Sequence, residues 1–512
     1  MKKLIFKIFS LPWHPLAFSV YPIAALYANN IKQTEMAVIF RPLVISIALS
    51  CVLVVLLRLL FSNWHRIAFF AAALILLFFS YGHVYAYIKS ISLFGVVLGR
   101  HRLLLLIWAG LAVTALIIAS RKNVNIENHT VTLNTIAFVL LLFPVVTITS
   151  YWFSARNTRL SDVEPTKEII IKDNQSLPDI YYIILDSYTR SDVLKKAYGY
   201  DNSSFLNDLN KMGFHVAQCS TSNYMWTRLS ISSTLNMGYL QDNPLYTAAT
   251  DKDVITEDLI KHSLVRRTLE SIGYKTIAFA TGFPFNEITD SDLYLEPPSS
   301  MEDVREFDAL LAQTTLLRVF QDFGYIQINQ TASARFRDRT LFALSEFDDL
   351  AHIAGPKFVY IHIITPHPPF VFGPNGESTN PKDFVSTEAQ YTDTTYSDGY
   401  VNQVKFISGQ IVQSIQKLLD ESPIPPIIIL QGDHGPWKQQ GENRISILNA
   451  YYLPGHNDAV YASISPVNSF RVIFNEYFNA EYPLHDDISY RSPYANVYNF
   501  KLQPTSCNNR NK

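Results

Sequence analysis

The sequence predicts two parts: a bundle of about five transmembrane α-helices, and then a water-facing α/β domain whose mostly parallel sheet is sandwiched by helices. Up to Phe153 the chain carries 12 Lys and Arg against two acids, whereas the remainder carries 30 basic and 42 acidic side chains. Long uncharged apolar runs are confined to the first part. We therefore expect a transmembrane domain at 1–153, a polar linker at 154–178 and a second domain at 179–512.

Four apolar runs in the first part are long enough to cross a bilayer of about 30 Å; they are 43–61, 67–88, 103–120 and 131–153. A fifth uncharged run, 11–30, contains three prolines, so it either crosses the membrane or lies in its interface. If the chain crosses the membrane five times and its amino terminus is cytoplasmic, the cytoplasmic loops carry seven Lys and Arg and the outer loops carry five. This slight bias places the second domain outside the cytoplasm. The acidic character of that domain argues against nucleic acid as a partner.

Apolar strands alternate with helical patterns in the second domain, which is typical of a parallel sheet covered by helices on both faces. Strands are predicted at 180–186, 274–281, 358–370 and from Ile427 to Gln431. A helix is predicted at 202–212, where Gly213 ends it. Ligands of such sheets bind at the carboxyl ends of the strands, so the residues that follow each apolar run are the candidate site.

Four polar residues follow these runs: Asp186, His367, Asp433 and His434. The Asp433-His434-Gly sequence alone fits a simple polar turn, but its coincidence with the other strand ends favours a shared site. Two carboxylates and a neutral imidazole suit a divalent cation. Zn²⁺ or Mn²⁺ fits best, and Mg²⁺ or Ca²⁺ is compatible.

A further ligand is expected from the hydroxyl-rich segment 219–237. Thr227 lies just before a predicted helix, whose amino terminus favours an anion, and its hydroxyl there can act as ligand and nucleophile. The alternative is an ordinary helix-capping loop. Of the three cysteines, Cys51 falls in a predicted span, whereas Cys219 and Cys507 could pair in an oxidising compartment.

The motifs ILD, KMGF, HPPF and QGDHG follow one another in this order after the apolar segments. This order resembles the sulfatase-like branch of the alkaline phosphatase superfamily. The preceding spans resemble the layout of lipoteichoic-acid synthases and lipid A phosphoethanolamine transferases. The resemblance covers roughly residues 179–477 by motif order and the amino-terminal part by architecture only.

The resemblance implies that Asp186, Thr227, Asp433 and His434 bind one divalent metal ion. Thr227 would be the nucleophile that accepts the phosphoryl group, and His367 would contact the transferred group or protonate the leaving oxygen. It further implies a multi-pass protein of the bacterial inner membrane with a periplasmic catalytic domain. The reaction expected is transfer of a phosphoryl-bearing head group from a lipid-linked donor to an envelope glycan or lipid.

Two departures from the family pattern qualify this expectation. Cys219 is followed by neither the Pro nor the Arg of a C-x-P-x-R motif, so sulfate-ester hydrolysis through formylglycine is not expected. Asp186 stands where the two transferase groups often have Glu. Arg228 and His456 are further candidates for the same cleft. The alternative functions are a phosphoesterase or sulfatase-like hydrolase that uses water, and a non-catalytic membrane component of envelope assembly.

Overall fold

The computed structural model describes residues 9–31, 34, 36–89, 91–93, 96–97, 99–156, 177–249, 251–298, 306–379 and 391–506. The chain divides into two compact units. The first comprises Met1–Phe153 and Glu302–Ala332, and the second comprises Ser154–Met301 and Ser333–Lys512. Most of the predicted linker, 154–178, lies outside the described residues.

The described helices are numbered in chain order: α1 (His14–Asn30), α2 (Phe40–Leu57), α3 (Trp64–Ile88), α4 (His101–Ser120), α5 (Glu127–Arg156), α6 (Ser191–Tyr198), α7 (Ser203–Lys211), α8 (Thr227–Leu235), α9 (Pro244–Ala248), α10 (Lys252–Lys261), α11 (Leu264–Ser271), α12 (Glu306–Thr314), α13 (Leu317–Asp322), α14 (Ile328–Ser345), α15 (Phe347–His352), α16 (Asp393–Glu421), α17 (Glu442–Ile445) and α18 (Pro466–Phe478). The strands are β1 (Ser92–Leu93), β2 (Val96–Val97), β3 (Ile180–Leu185), β4 (His215–Val216), β5 (Lys275–Phe279), β6 (Leu293–Leu295), β7 (Lys357–Ile363), β8 (Ile427–Gln431), β9 (Asn449–Tyr452), β10 (Ser489–Arg491) and β11 (Lys501–Gln503).

Four helical segments of the first unit are long and apolar enough to cross a membrane; they are Met36–Leu57, Trp64–Ile88, His101–Ser120 and Glu127–Phe153. They coincide with four of the five predicted spans. The fifth predicted segment, 11–30, forms the 17-residue helix α1 with Pro22 inside it, and it is not among the four. Its crossing of the membrane therefore stays a prediction.

A short helical pair, α12 and α13, belongs to the first unit although it interrupts the second unit in sequence. Gly82 of α3 permits this packing, because a Cβ there would lie 2.1 Å from the carbonyl oxygen of Gln313. His101 of α4 connects α3 and α13 through polar contacts. Its Nδ1 lies 2.9 Å from the Tyr81 hydroxyl, and its Nε2 lies 2.8 Å from Asp322 Oδ2. Apolar patterning alone did not indicate this association.

The second unit is built on a seven-stranded sheet in the order β4-β9-β8-β3-β7-β5-β6. The central strand β3 pairs in parallel with β7 and β8, and β5 pairs in parallel with β7 and β6. Strand β9 runs antiparallel to both of its neighbours. The predicted helical membrane part and mostly parallel α/β sheet are thus confirmed.

Each central strand buries side chains on both faces of the sheet. In β3, Tyr181, Ile183 and Leu185 enter one hydrophobic cluster, whereas Ile180, Tyr182 and Ile184 enter the other. Successive side chains of a strand point to opposite faces, so a strand covered on both sides is apolar throughout. Because β3, β7 and β8 are parallel, their carboxyl ends lie side by side at one edge of the sheet, where the first polar residues appear.

Candidate metal centre

Three buried side chains converge at this edge. Asp186 directly follows β3, and Asp433 and His434 follow β8 after one glycine. One ligand atom from each residue lies within 4.8 Å of the others. His434 Nε2 is 3.3 Å from Asp433 Oδ2 and 4.0 Å from Asp186 Oδ1. The structure therefore brings together three of the four predicted ligands as a compact cluster.

The tight turn after β3 holds both carboxylates in place. Ser187 has a φ of 64°, a left-handed conformation that is costly for a residue with a side chain and is typical of functional sites. Its backbone N–H donates to Asp433 Oδ1 at 2.9 Å, and its hydroxyl donates to Asp186 Oδ1 at 3.1 Å. Gly432 lets β8 approach this turn, because a Cβ there would lie 2.2 Å from the carbonyl oxygen of Tyr188.

The tautomer of His434 follows from its neighbours. Nδ1 lies 2.9 Å from the carbonyl oxygen of Gly435, so a neutral ring carries its proton on Nδ1 and donates it there. The Arg444 guanidinium also donates to this carbonyl. The lone pair of Nε2 is then directed at the two carboxylates, and a backbone carbonyl bonded to the other ring nitrogen is the usual support of a metal-ligating histidine.

Thr227 completes the predicted set. It is the first residue of α8, and its hydroxyl oxygen lies 3.0 Å from His434 Nε2. The free N–H groups of a helix amino terminus produce a positive electrostatic potential. The hydroxyl thus lies beside the cluster at a position that favours developing negative charge.

Burial and the neighbouring charges shift the pKa values of both carboxyl groups. Burial, followed by the charge of Asp186, raises the pKa of Asp433 to about 6. Burial also acts to raise the pKa of Asp186, but the neighbouring side chains of His367, His362 and His434 outweigh it, so that this pKa lies below its usual range. The pKa values of these two buried carboxyl groups thus shift in opposite directions. A positive charge placed between them would stabilise both carboxylates.

A divalent metal ion fits these residues. Asp433 Oδ2 is buried and has no hydrogen-bond partner among the described residues. With the proton of His434 on Nδ1, this oxygen faces the Nε2 lone pair at 3.3 Å, and neither atom can donate to the other. Such an orphaned buried acceptor is costly, and a cation held by two carboxylates, an imidazole and a hydroxyl removes the cost. The donor set matches Zn²⁺ or Mn²⁺.

The sequence did not indicate His362, which positions Asp186. Its ring lies on the same face of β7 as Tyr360, and its side chain is fully buried. Asn286 donates to Nδ1 at 2.5 Å, so the proton of the neutral ring is on Nε2, which lies 3.3 Å from Asp186 Oδ2. A histidine inside an otherwise apolar strand was the only available signal.

The structure places His367 next to Asp186 in the chain fold. The backbone N–H of His367 donates to the carbonyl oxygen of Asp186 at 3.1 Å. Its Nδ1 lies 2.6 Å from the carbonyl oxygen of Pro368 and must therefore donate. The ring is partly exposed at this edge of the sheet.

Arg228 and His456, the two further candidates from the sequence, do not join the converging ligands. Arg228 donates to the carbonyl oxygen of Asp253 at 2.8 Å and covers the Phe285 ring. His456 follows β9, which runs antiparallel to β8, so it lies at the opposite edge of the sheet and pairs with Glu476 at 2.9 Å. The expectation that His456 lines the cleft was wrong, because β9 reverses the direction of the neighbouring strands.

Neither of the two cysteines that the structure describes carries a catalytic thiol at this edge. Cys219 is disulfide-bonded, and Cys51 is a free cysteine in α2. Cys507, its predicted partner, lies outside the described residues. The sulfur of Cys219 is therefore not available as a nucleophile.

The chain is similar to one known protein family and to several solved structures. The Sulfatase family model matches residues 178–466, more than half of the chain. Similar solved structures include the C-terminal periplasmic domain of EcEptC from Escherichia coli in complex with Zn, at 11% identity over 65% of this chain and 94% of that chain (TM-score 0.41). Another is the integral membrane protein lipooligosaccharide phosphoethanolamine transferase A from Neisseria meningitidis, at 11% identity over 92% and 95% of the two chains (TM-score 0.39). A third is a 2-O GAG sulfatase, at 11% identity over 64% and 76% (TM-score 0.36).

No curated protein matches the chain in sequence. The matched range contains Asp186, Thr227, Asp433 and His434. The motif order predicted a sulfatase-like enzyme, and the family match over more than half of the chain confirms it. The chain belongs to the sulfatase family.

Proposed function

We propose that this enzyme is a membrane-anchored, metal-dependent phosphotransferase that moves a phosphoryl-bearing head group from a lipid donor to an envelope glycan or lipid. The observation that carries the proposal is the Thr227 hydroxyl, 3.0 Å from His434 Nε2 at the amino terminus of α8. A threonine cannot form formylglycine, and the only cysteine nearby in sequence, Cys219, is disulfide-bonded. These features favour phosphoryl transfer through threonine over sulfate-ester hydrolysis.

The residues have distinct roles in the proposed reaction. Asp186, Asp433, His434 and Thr227 would hold one divalent ion, which when bound promotes ionisation of the hydroxyl and polarises a phosphoryl oxygen. The ionised Thr227 oxygen, whose proton has passed to solvent, forms a bond to phosphorus as the bond to the lipid alcohol breaks. His367 gives that leaving oxygen its proton. A hydroxyl of the acceptor then attacks phosphorus, His367 takes its proton, and Thr227 is released.

The membrane helices support a lipid donor, because an enzyme anchored in the bilayer meets lipid head groups at its surface. The disulfide-bonded Cys219 supports an oxidising compartment for the catalytic unit. We therefore place this unit on the periplasmic side of a bacterial inner membrane.

Acceptor dependence tests the proposal. The purified full chain is incubated in detergent with Zn²⁺ and with phospholipids whose head groups carry a radioactive label. A transferase should keep about one labelled group per chain on the protein until a hydroxyl-bearing glycan or lipid is added. Prompt release of the label to water without an acceptor would instead establish a phosphoesterase and overturn the transferase assignment.

Replacing His367 by alanine should slow turnover by roughly 10²–10⁴-fold, the usual contribution of a general acid. The deficit should shrink with a p-nitrophenyl phosphoester, because this leaving group departs without a proton. Metal content should stay unchanged, since His367 is not among the converging ligands. His352→Ala, which removes an exposed histidine on α15, is the matched control. An equal deficit with both leaving groups would contradict the role of proton donor.

A further inference from the structure

One segment of the chain belongs to the unit of the membrane helices, although the sequence on either side of it belongs to the second unit. This segment, Glu302–Ala332, contains α12 and α13, and we call it the insert. The chain therefore passes between the two units at both ends of the insert as well as after α5.

Helix α13 of the insert turns its apolar residues outwards and its charged residues inwards. Leu317, Phe320 and Phe323 follow one another at intervals of three residues and are exposed, Phe320 by 48% and Phe323 by 59%. Arg318 and Asp322 are four residues apart and lie on the opposite side of the helix. A helix at the surface of a water-soluble domain has the reverse arrangement, with its apolar stripe facing the core.

The charged side of α13 is bound to the membrane helices. The Arg318 guanidinium lies 4.9 Å from the ring centre of Tyr85, and its Nε lies 3.3 Å from Asp322 Oδ2. The same carboxylate oxygen lies 2.8 Å from His101 Nε2. These contacts fix the rotation of α13 about its axis, so its apolar side faces away from the bundle.

Tyr325 extends the exposed apolar side of α13 beyond a turn at Gly324. It is 77% exposed, and its ring centre lies 6.4 Å from that of Phe323. We call Leu317, Phe320, Phe323 and Tyr325 the apolar face of the insert. Four side chains are far fewer than the roughly 20–30 residues that each partner contributes to a stable protein interface. A small cluster of aromatic and aliphatic side chains on an amphipathic segment instead suits a lipid surface.

The insert lies at the depth of the membrane interface. The backbone N–H of Leu316 donates to the carbonyl oxygen of Phe78 at 2.9 Å, a position about 15 Å before the end of α3 at Ile88. Tyrosines are typical of the boundary between acyl chains and head groups. The part of α3 between these two positions contains three of them: Tyr81, Tyr85 and Tyr87.

The apolar face is continuous with the exposed surface of a candidate span. Val319 of α13 packs with Leu104 of α4, and the next turn of α4 exposes Leu106 by 71% and Ile107 by 57%. Helices α3, α4 and α5 are consecutive candidate spans, so the end of α3 lies on the same side of the bilayer as the second unit. The apolar face therefore lies in the leaflet on that side.

We propose that the apolar face inserts into the outer leaflet at the boundary of acyl chains and head groups, and thereby attaches the second unit to the membrane a second time. The inference rests on the proposed function for the membrane anchorage and the periplasmic side, but not for the reaction. Segments of this kind bury their apolar side by about 5–10 Å. Because both ends of the insert lead into the second unit, its insertion holds that unit close to the lipid head groups.

A fluorescent label on Tyr325→Cys tests the insertion. The variant is made in a Cys51→Ala background, since Cys51 is a free cysteine and Cys219 is disulfide-bonded. The full chain is placed in nanodiscs of phosphatidylethanolamine and phosphatidylglycerol. A lipid with a nitroxide near the head-group end of its acyl chain should quench the label, and aqueous iodide should not. The same label on Lys211→Cys, at an exposed position of the second unit, is the matched control and should respond to iodide.

Two results would overturn the inference. Equal iodide access at positions 325 and 211 would place the apolar face in water. Protection from iodide without quenching by the lipid would mean that protein covers this face. Labelling requires no turnover, so a lipid-quenched label in a protein that transfers no head group would count against the proposed reaction alone.

Substitutions in the apolar face locate the effect. Phe320→Asp with Phe323→Asp should raise iodide access at position 325 to that of the control, because carboxylates are costly to bury in a membrane. Ile424→Asp, which adds a carboxylate at an exposed apolar position of the second unit, should change nothing. If the aspartate pair fails to fold, Phe320→Gln with Phe323→Gln serves instead. Unaltered iodide access in the folded variant would overturn the inference.

Discussion

Replacing Thr227 with alanine should abolish covalent labelling of the enzyme and reduce turnover by about 10⁴-fold or more, since loss of a nucleophile is among the largest single effects on catalysis. In the wild-type protein, mass spectrometry after incubation with membrane lipids should find an added mass on the peptide that contains Thr227. The size of that mass identifies the transferred group. The stability of the metal-free protein should change little, because the substitution removes one partly buried hydroxyl from the first turn of a helix.

Two matched variants sharpen this experiment. Thr227→Ser keeps a hydroxyl but loses the restraint of a β-branched side chain, so it should retain part of the activity. Thr234→Ala removes a hydroxyl of the same helix that bonds to Ser230 O and Tyr182 rather than to the converging ligands, and it should retain the label. A label that persists in Thr227→Ala, or that maps to Ser222 or Ser230, would show that another hydroxyl is the nucleophile.

The strands that carry the site could be predicted because they are buried on both faces. A central parallel strand has a continuous apolar run, so its end is visible in sequence as the first polar residue. The predicted 180–186 run is β3 followed by Asp186, and the run from Ile427 to Gln431 is β8. The helix predicted at 202–212 is α7, Ser203–Lys211, and Gly213 follows it with a φ of 93°.

The groups that support the ligands could not be predicted, because their roles depend on pairing between distant segments. The two-residue period of β7 assigns His362 to a face, but only the adjacency of β3 and β7 places it against Asp186. Ser187 acts through a turn with a positive φ, a conformation that the presence of a serine does not predict. Arg444, on the short helix α17, donates to the Gly435 carbonyl oxygen that also accepts from His434. His456 was assigned to the wrong edge of the sheet for the same reason, because the apolar pattern of β9 does not reveal the direction of that strand.

Alanine at Asp433 or His434 should strip the metal ion from the protein. Loss of a direct ligand is expected to weaken binding by more than about 100-fold, because changes in the residues that merely support ligands already cost roughly 10–100-fold. The wild-type chain should retain about one divalent ion after dialysis, measured by inductively coupled plasma mass spectrometry. Asp258→Ala, which removes a buried carboxylate that pairs with His262, should leave metal content unchanged.

Thermal unfolding provides a second readout of the same substitution. In the wild-type protein a bound ion would cancel the repulsion of the two buried carboxylates and would satisfy Asp433 Oδ2, which has no hydrogen-bond partner among the described residues. Adding Zn²⁺ to the metal-free protein should therefore raise its melting temperature, by an amount that grows with metal concentration. The Asp433→Ala protein has one carboxylate fewer to neutralise and should show little response to Zn²⁺. Full metal occupancy in Asp433→Ala and in His434→Ala, with an undiminished thermal response, would mean that the converging carboxylates and imidazole are not the metal site.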